Sequence, residues 1–138
     1  MKLSVKHYFD ASHQLPDTKY LVTKACARLH GHTYAVKIDI ESNELKGGMV
    51  IDFKAIKTIV DELDHRHINN VFDEVGYNKP PSAENIARYI SKRIVEDTGF
   101  ENSIAICEGY KGEDRASWAI YHSKEVMKDE ASSPKQRT

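Results

Sequence analysis

The sequence has few cysteines and no long apolar runs, and each shortage excludes a class of protein. Only Cys26 and Cys107 occur in 138 residues, too few for a disulfide framework, so a chemically active thiol is the more interesting use of one of them. The opening segment MKLSVKHYFD alternates polar and apolar residues, which fits neither a signal peptide nor a membrane span. We therefore expect a cytoplasmic protein that does not enter the membrane.

A surplus of charge of one sign is also lacking. The chain has 20 basic and 21 acidic residues and a formal net charge of −1. General nucleic-acid binding through a basic surface is therefore not expected, and an anionic ligand must be met by a local group of cations. The length predicts one domain, over residues 1–123, followed by a polar tail over 124–138 that we expect to be a frayed helix or disordered.

Hydrophobic alternation predicts four strands. Apolar residues of one parity mark a first strand over residues 2–14 and a second from His32 to Ile40. Two shorter strands are predicted around 104–106 and 118–120. The long segment 15–29 between the first two strands has no alternation, which indicates a loop of the functional kind.

Two helices are predicted between the second and third strands. Apolar residues recur at three- and four-residue steps after Asp52 and again after Ser82, and both residues are good N-caps. The first helix should end near Leu63 and the second at Gly99, with a polar connection over 69–81 between them. The expected fold is therefore α+β, in the order strand, strand, helix, helix, strand, strand.

Three histidines predict a metal site. His30 and His32 are two residues apart at the entry of a strand, so their side chains point to one side, and an antiparallel partner could bring His13 beside them. Three neutral imidazoles with an open fourth position describe a catalytic zinc site. The ordinary alternative is a set of surface histidines, and a second alternative is a closed structural site with Cys26 as the fourth ligand.

Three further residues are candidates for acid, base or binding roles. Asp64 precedes His65, and a neighbouring carboxylate can orient an imidazole for proton transfer, although cationic side chains also simply complement a helix C-terminus. Glu108 shares the parity of the apolar residues of the third strand, so it points either to the buried face or, at an edge, to solvent. Cys107 faces the other way and reads as a small core residue.

Six motifs in order along residues 3 to 122 carry a family resemblance. They are F-x-A-x-H at Phe9 to His13, C-x3-H-G-H at Cys26 to His32, G-M-V-x-D-F at Gly48 to Phe53, L-D-H-x-x-I-N at Leu63 to Asn69, P-S-A-E-N at Pro81 to Asn85, and Glu108 near a strand end. The chain resembles the 6-pyruvoyl/6-carboxy-tetrahydropterin synthases. The three-residue gap between the cysteine and H-G-H is similar to that of the 6-carboxy-tetrahydropterin synthases of the queuosine pathway.

The resemblance implies a fold and an assembly. It is the tunnelling fold, in which each subunit has a four-stranded antiparallel sheet with two helices on one face. Subunits join their sheets into a trimeric barrel, and two trimers usually stack into a hexamer. The resemblance thus implies a homo-oligomer, trimer or hexamer, with sites at the subunit interfaces.

The resemblance also implies an activity. The substrate is 7,8-dihydroneopterin triphosphate, which is converted to 6-carboxy-5,6,7,8-tetrahydropterin with loss of acetaldehyde and triphosphate. Zn²⁺ is the cofactor on the three histidines, Cys26 is the thiolate base, Asp64 and His65 relay protons, and Glu108 anchors the pterin ring. The triphosphate would need local cations, and those near the motifs are Lys24, Arg28 and Arg66.

The chain departs from the family pattern after the anchoring glutamate. Gly109 stands where a threonine is usual, which removes a hydroxyl, whereas Ser82 replaces a common threonine and keeps one. Three alternatives therefore remain open: a 6-pyruvoyl-tetrahydropterin synthase, a non-catalytic zinc-stabilised protein that binds pterins or purines, and a hydrolase that uses zinc-bound water.

Overall fold

A computed structural model gives the fold and describes residues 1–130. The strands are β1 (Lys2–His13), β2 (His30–Glu41), β3 (Arg66–His67), β4 (Asn102–Glu108) and β5 (Ala119–His122). The helices are α1 (Phe53–Asp61), α2 (Ile68–Val75) and α3 (Ala83–Thr98). Within the described residues, every helix is too short or too polar to cross a bilayer.

The five strands form one sheet in the order β3-β1-β2-β4-β5. The predicted antiparallel set of four is confirmed, because β1, β2, β4 and β5 pair in that way along the sheet. β3 adds two residues that pair in parallel with Ala11 and Ser12 at the end of β1. β2 begins at His30, two residues earlier than predicted, because its first residue pairs with His13.

The core lies between the sheet and the helices, as the alternation predicts. Val5 and Phe9 on β1 and Val36 and Ile38 on β2 are at most 3% exposed, whereas their neighbours in the chain are mostly more exposed. Burying each such side chain contributes about 1.5–3 kcal/mol. The α+β class is therefore confirmed, with three helices instead of two.

Both predicted helices begin at their expected caps. The carboxylate of Asp52 accepts a hydrogen bond from the backbone of Lys54 at 2.8 Å, and the hydroxyl of Ser82 accepts one from the backbone of Asn85 at 3.2 Å. α3 ends at Gly99, whose φ of 74° is the left-handed conformation that a C-cap glycine adopts. The Ser82 cap fixes where α3 starts, directly after Pro81, whose carbonyl contacts the ring of His13.

The predicted polar connection over 69–81 is wrong for its first part, which is α2. Ile68, Val71 and Phe72 are buried on one side of that helix. The spacing of these three residues, at steps of three and four, is typical of a helix. The segment has only eight residues and contains two asparagines, so its polar composition predicted a loop instead. α2 ends at Gly76, with a φ of 71°.

The tail packs against the rest of the protein as far as the structure describes it. Residues 125–130 contain no helix, so a frayed helix is not found there. Asp129 pairs with Lys79 and Arg88, and Glu130 accepts a hydrogen bond from Tyr20. The last part of the predicted tail, residues 131–138, lies outside the described residues.

Candidate metal centre and active site

The pairing of β1 with β2 brings three histidines together. His13 is opposite His30 and Ala11 is opposite His32, so all three imidazoles are on the face that carries the core. One nitrogen from each ring lies within 4.8 Å of the others. Ring centroids are 4.5 Å apart for His13 and His30 and 4.9 Å apart for His30 and His32. Residues from distant parts of the chain thus converge as a metal site requires.

Backbone carbonyls fix the tautomers of two of these rings. Nδ1 of His13 is 2.7 Å from the carbonyl oxygen of Pro81, and Nδ1 of His30 is 2.6 Å from that of Arg28. A carbonyl only accepts, so each Nδ1 carries the proton and each Nε2 of the neutral ring presents a lone pair. The two Nε2 atoms are 2.8 Å apart, an arrangement in which the lone pairs repel unless a cation binds both.

Burial lowers the pKa of two of the three histidines. His13 is fully buried, and desolvation lowers its pKa to about 4. The pKa of His32 is also lowered, first by burial and then by the neighbouring His30. Nε2 of His32 is buried and has no hydrogen-bond partner among residues 1–130. A buried nitrogen without a partner costs about 1–3 kcal/mol, so these residues fit a bound metal ion well.

The metal group does not include Cys26. Among the described residues, the group of ligand atoms within 4.8 Å of one another that contains His13 has His30 and His32 as its other members, without Cys26. Three imidazoles leave a fourth position open on a tetrahedral ion, which is typical of a catalytic zinc site and not of a closed structural one. The geometry therefore favours the open site over the sealed alternative with the thiolate as a fourth ligand.

Glu108 lies beside the metal group. It ends β4 opposite Tyr34, and its side chain is on the same face as the histidines. Its carboxylate is 3.8 Å from Nε2 of His32 and one third exposed. Burial raises the pKa of Glu108, the nearby Glu84 adds to this effect, and His30 opposes it. The parity of Glu108 allowed its side chain to point either to the buried face or to solvent, and the structure has it on the buried face.

Asp64 and His65 form a hydrogen-bonded pair. Nδ1 of His65 is 2.9 Å from the carboxylate of Asp64, so the ring donates there and Nε2 is left to exchange a proton. The contact raises the pKa of His65. The pKa of Asp64 is lowered, first by the backbone N–H of Asp10 and then by His65. α1 ends at Asp61, and the backbone N–H of Asp64 donates to the Asp61 carbonyl at 3.1 Å, while the side chains of Asp64 and His65 contact each other.

The backbone of His65 is strained in a way that favours a functional role. Its φ of 57° makes it the one described residue other than glycine with a positive φ. This conformation costs about 1–2 kcal/mol for a residue with a Cβ. Its backbone N–H donates to the carbonyl of Asp10 at 2.6 Å, which holds the turn against β1. The strain places an imidazole, 79% exposed, at the surface.

The structure does not bring this pair to the metal face. His65 lines an open depression together with Asp10, Ser12 and Thr33, and Ala11 and His32 border it as well. The side chains of Asp10, Ser12 and Thr33 alternate with those of Ala11, His13 and His32, so they point to the opposite face of the sheet. Within one chain, therefore, the depression of His65 is on the face opposite the three imidazoles, and the residue His32 borders both sides.

Cys26 lies on the loop that joins β1 to β2. It is in a short 3-10 turn, Lys24–Ala27, which begins at Thr23, and its side chain is half-buried. Two hydrogen bonds close the base of the loop: the backbone of Leu15 donates to the carbonyl of Cys26 at 3.1 Å, and the Gln14 side chain donates to Ala27 at 3.0 Å. The loop thus returns to the end of β1, immediately after His13.

Two of the three candidate cations for a phosphate group are already paired. Lys24 pairs with Asp17, and Arg66 pairs with Glu74 at 3.0 Å. The Arg28 guanidinium makes no hydrogen bond or ion pair within residues 1–130. Arg28 is therefore the cation near the motifs that is most available to a ligand.

Sequence reasoning missed two residues of this site. The Pro81 carbonyl orients His13, and nothing in the sequence marks a carbonyl for that role. Tyr34 is fully buried, with its ring centroid 5.5 Å from that of His32, and its hydroxyl has no partner among the described residues. The sequence could have predicted that Tyr34 lies on the face of the three histidines, because Tyr34 shares the parity of His30 and His32 on β2.

Gly109 has a conformational reason to be glycine. Its φ is 60°, and a Cβ at this position would lie 3.6 Å from Nδ1 of His32. A threonine is β-branched and strongly disfavoured at this φ, so the chain turns here in a way that suits glycine. The next residue, Tyr110, then donates to the carbonyl of Thr33 at 3.1 Å.

Comparisons with known proteins show the family of this chain. Residues 2–124 match the family model described as 6-pyruvoyl tetrahydropterin synthase. A dihydroneopterin monophosphate aldolase of Pyrococcus furiosus is 39% identical over 90 residues, covering 62% of this chain and 68% of the relative. A 6-carboxy-5,6,7,8-tetrahydropterin synthase of Synechocystis is 35% identical over 95 residues, covering 64% and 70%.

A solved structure confirms the fold. The 6-pyruvoyl tetrahydropterin synthase of Caenorhabditis elegans superposes with a TM-score of 0.63 at 19% identity, over 88% of this chain and 94% of that one. The subunit fold expected from the motifs, the tunnelling fold, is therefore confirmed. The barrel into which subunits would assemble stays a prediction.

Proposed function

Because this chain belongs to the 6-pyruvoyl tetrahydropterin synthase family, we propose that it is a 6-carboxytetrahydropterin synthase that uses zinc. It converts 7,8-dihydroneopterin triphosphate to 6-carboxy-5,6,7,8-tetrahydropterin, releasing acetaldehyde and triphosphate, as a step of queuosine biosynthesis. The observation that carries the proposal is the group of three histidines, of which His13 is fully buried, with Glu108 3.8 Å from His32: a candidate metal site beside a carboxylate suited to a pterin.

His13, His30 and His32 would hold the zinc ion. Three imidazole nitrogens suit zinc, and the carbonyls of Pro81 and Arg28 orient two of the rings. Bound zinc would polarise the side-chain oxygens of the substrate and acidify the neighbouring C–H bonds. The protein supplies imidazole donors for such binding, and burial lowers the pKa of His13 and His32.

Cys26 and His65 would move the protons. The Cys26 thiolate removes one from the substrate side chain, and His65, which donates Nδ1–H to Asp64, returns or relays protons through its free Nε2. A thiol and an imidazole differ in basicity, so the two groups can act in turn on opposite sides of one carbon skeleton. This division of roles also explains the strained backbone of His65.

Glu108 would anchor the pterin ring. Its carboxylate can accept two parallel N–H bonds from the aminopyrimidine edge, a charge-assisted geometry that selects pterins over most other rings. Its position between His32 and solvent lets a ring bound there extend its side chain towards the metal. Arg28 is the candidate cation for the triphosphate.

The opposite placement of His65 supports a site shared between subunits. In one chain His65 and the metal group are on different faces of the sheet, so we propose that His65 of one subunit serves the metal centre of a neighbour in a trimer or hexamer. Mixed assemblies test this idea. Cys26→Ala and His65→Ala chains, inactive separately, should regain activity when refolded together, and a mixture without activity would contradict it.

The main test is turnover with product identification. Zinc-loaded protein is incubated with 7,8-dihydroneopterin triphosphate, the pterin product is identified by mass, and acetaldehyde is assayed. Cys26→Ala should lose turnover while it retains zinc. Cys107→Ala is the matched control, because that buried thiol faces away from the metal group. Full activity in Cys26→Ala would refute the mechanism, and a three-carbon side chain on the product would indicate the pyruvoyl activity.

A second candidate is cleavage of dihydroneopterin monophosphate. The relative from Pyrococcus furiosus that is 39% identical is described as an aldolase for that compound, and a single phosphate suits a site in which Arg28 alone among the candidate cations is unpaired. An aldolase would release a two-carbon aldehyde that retains the phosphate. Incubation with the monophosphate and assay for that fragment separates the two activities.

A further inference from the structure

A second cavity is lined mainly by residues that have no role in the proposed pterin reaction, and it borders the metal centre at Pro81. It has a volume of about 560 Å³, within the range of small-molecule sites, and lies between the loop after β1, α2 and the segment before α3. Its apolar walls include Tyr20, Phe72 and Tyr77, and the amides of Asn69 and Asn85 supply polar groups. Aromatic walls with a few amides suit a flat ring.

Two cations stand at the edge of this cavity and hold one carboxylate. Arg88 contacts both oxygens of Asp129 through its two terminal nitrogens, at 3.0–3.2 Å, and Lys79 contacts one of them at 2.7 Å. Lys79 and Asp129 line the cavity directly. A planar guanidinium with a lysine is the arrangement by which proteins bind phosphate as well as carboxylate.

Arg88 is held in place independently of its anion. Its side chain is only 18% exposed, and it donates to the Asn85 side chain at 3.1 Å. Asn85 in turn donates to the carbonyl of Pro80 at 2.9 Å. The guanidinium is thus oriented by neighbouring groups before an anion binds, which lowers the entropy lost on binding.

The charges of this group do not balance. Arg88 and Lys79 carry two positive charges, whereas the Asp129 carboxylate carries one negative charge, and contact with the two cations lowers its pKa to about 2. A phosphate monoester is close to a dianion at neutral pH and has a third oxygen to accept a hydrogen bond. Such a group would match both cations better than the carboxylate does.

The carboxylate comes from a segment that can be displaced. Residues 125–130 have no regular structure, and the side chain of Asp129 is 45% exposed. Glu130 and Tyr20, which are hydrogen-bonded to each other, both line the cavity, so release of this segment would also remove part of its wall. Exposed ion pairs contribute little stability, which makes exchange for a better anion feasible.

We propose that this cavity is a second ligand site, for an aromatic phosphate monoester, and that Asp129 occupies its phosphate position when no ligand is bound. The ring would lie among Tyr20, Phe72 and Tyr77, and the phosphate would bind Arg88 and Lys79. The proposal is independent of the pterin reaction, since it uses none of the residues assigned to that reaction.

Isothermal titration calorimetry with phenyl phosphate tests the proposal on the zinc-loaded full chain. Asp129→Ala removes the internal competitor, so we expect phenyl phosphate to bind about tenfold tighter than to the unchanged protein. The double variant Asp129→Ala with Arg88→Gln should lose that gain in affinity. The double variant Asp129→Ala with Lys79→Gln serves the same purpose if Arg88→Gln perturbs folding. Glu125→Ala is the matched control, because its carboxylate makes no side-chain contact within residues 1–130.

Each outcome decides the matter. Tighter binding to Asp129→Ala that is lost with either glutamine replacement supports the site, as does an affinity in Glu125→Ala equal to that of the unchanged protein. Equal binding to Asp129→Ala and the unchanged protein would overturn the proposal. So would binding that persists in both glutamine variants, since the ligand would then sit elsewhere, for instance at the three histidines.

Discussion

Zinc binding by the three histidines should raise the thermal stability of the protein with the logarithm of the free zinc concentration. A metal that binds only the native state stabilises it by about 2.7 kcal/mol when its free concentration is a hundred times Kd. For a domain of this length, each kcal/mol raises Tm by about 3–4 °C. We therefore expect Tm to rise by about 8–10 °C in zinc-buffered solution, measured by scanning calorimetry.

The replacement His32→Ala isolates the cause of this stabilisation. It removes the ligand whose Nε2 is buried without a partner, so the gain from zinc should largely disappear. His122→Ala is the matched control, because His122 is exposed on β5 and should leave the gain intact. The reasoning fails if His32→Ala responds to zinc as the unchanged protein does, or if the unchanged protein does not respond.

Three other replacements test the proton relay, the anchor and the unexpected helix. Asp64→Asn removes the main cause of the raised pKa of His65, so that pKa should fall. If unprotonated His65 is the active form, the acidic limb of the kcat profile then moves to lower pH; an unmoved limb would count against His65. Glu108→Gln keeps the shape but loses the charge, so KM should rise about 10- to 100-fold while zinc content, measured by mass spectrometry, is unchanged. Ile68→Ala should lower the free energy of unfolding in urea by about 2–5 kcal/mol, because Ile68 is fully buried on α2; a loss below 1 kcal/mol would mean that this helix contributes little to the core.

The strands and the grouping of the three histidines could be predicted because one periodicity governs both. Side chains alternate along β1 and β2, so the residues that share the parity of the core also share its face. His13 follows that parity on β1, and His30 and His32 follow it on β2. Antiparallel pairing then requires the three rings to meet, which the sequence indicates without coordinates.

The helix α2 was missed for a physical reason. Its eight residues contain only three buried apolar side chains, and Asn69 and Asn70 follow directly after the first of them. Asparagine is common in loops, so the local composition indicated a connection. The Asn69 side chain instead bonds both the N–H and the carbonyl of Gln14, a long-range contact that no local pattern reveals.

The Asp64 and His65 pair was found, but the surface it belongs to was not. Parity assigns a face only to residues within a strand, and these two stand in a turn between α1 and β3. Their position depends on hydrogen bonds to the backbone of Asp10. The bond between the Asp10 N–H and the Asp64 carboxylate joins residues that are 54 positions apart in the chain. Contacts of that range become visible only once the chain is folded.

The strand β1 positions both the three-histidine group and the Asp64–His65 pair. Its odd residues carry the core and end in His13, a proposed metal ligand, while the even residue Asp10 holds the Asp64 turn through its backbone and lines the depression of His65. A shift of one residue in the pairing of β1 with β2 would exchange the two faces of β1. The position of the metal ligand and that of the proton-transfer pair therefore depend on one register, even though the two sets face different subunits in the proposed assembly.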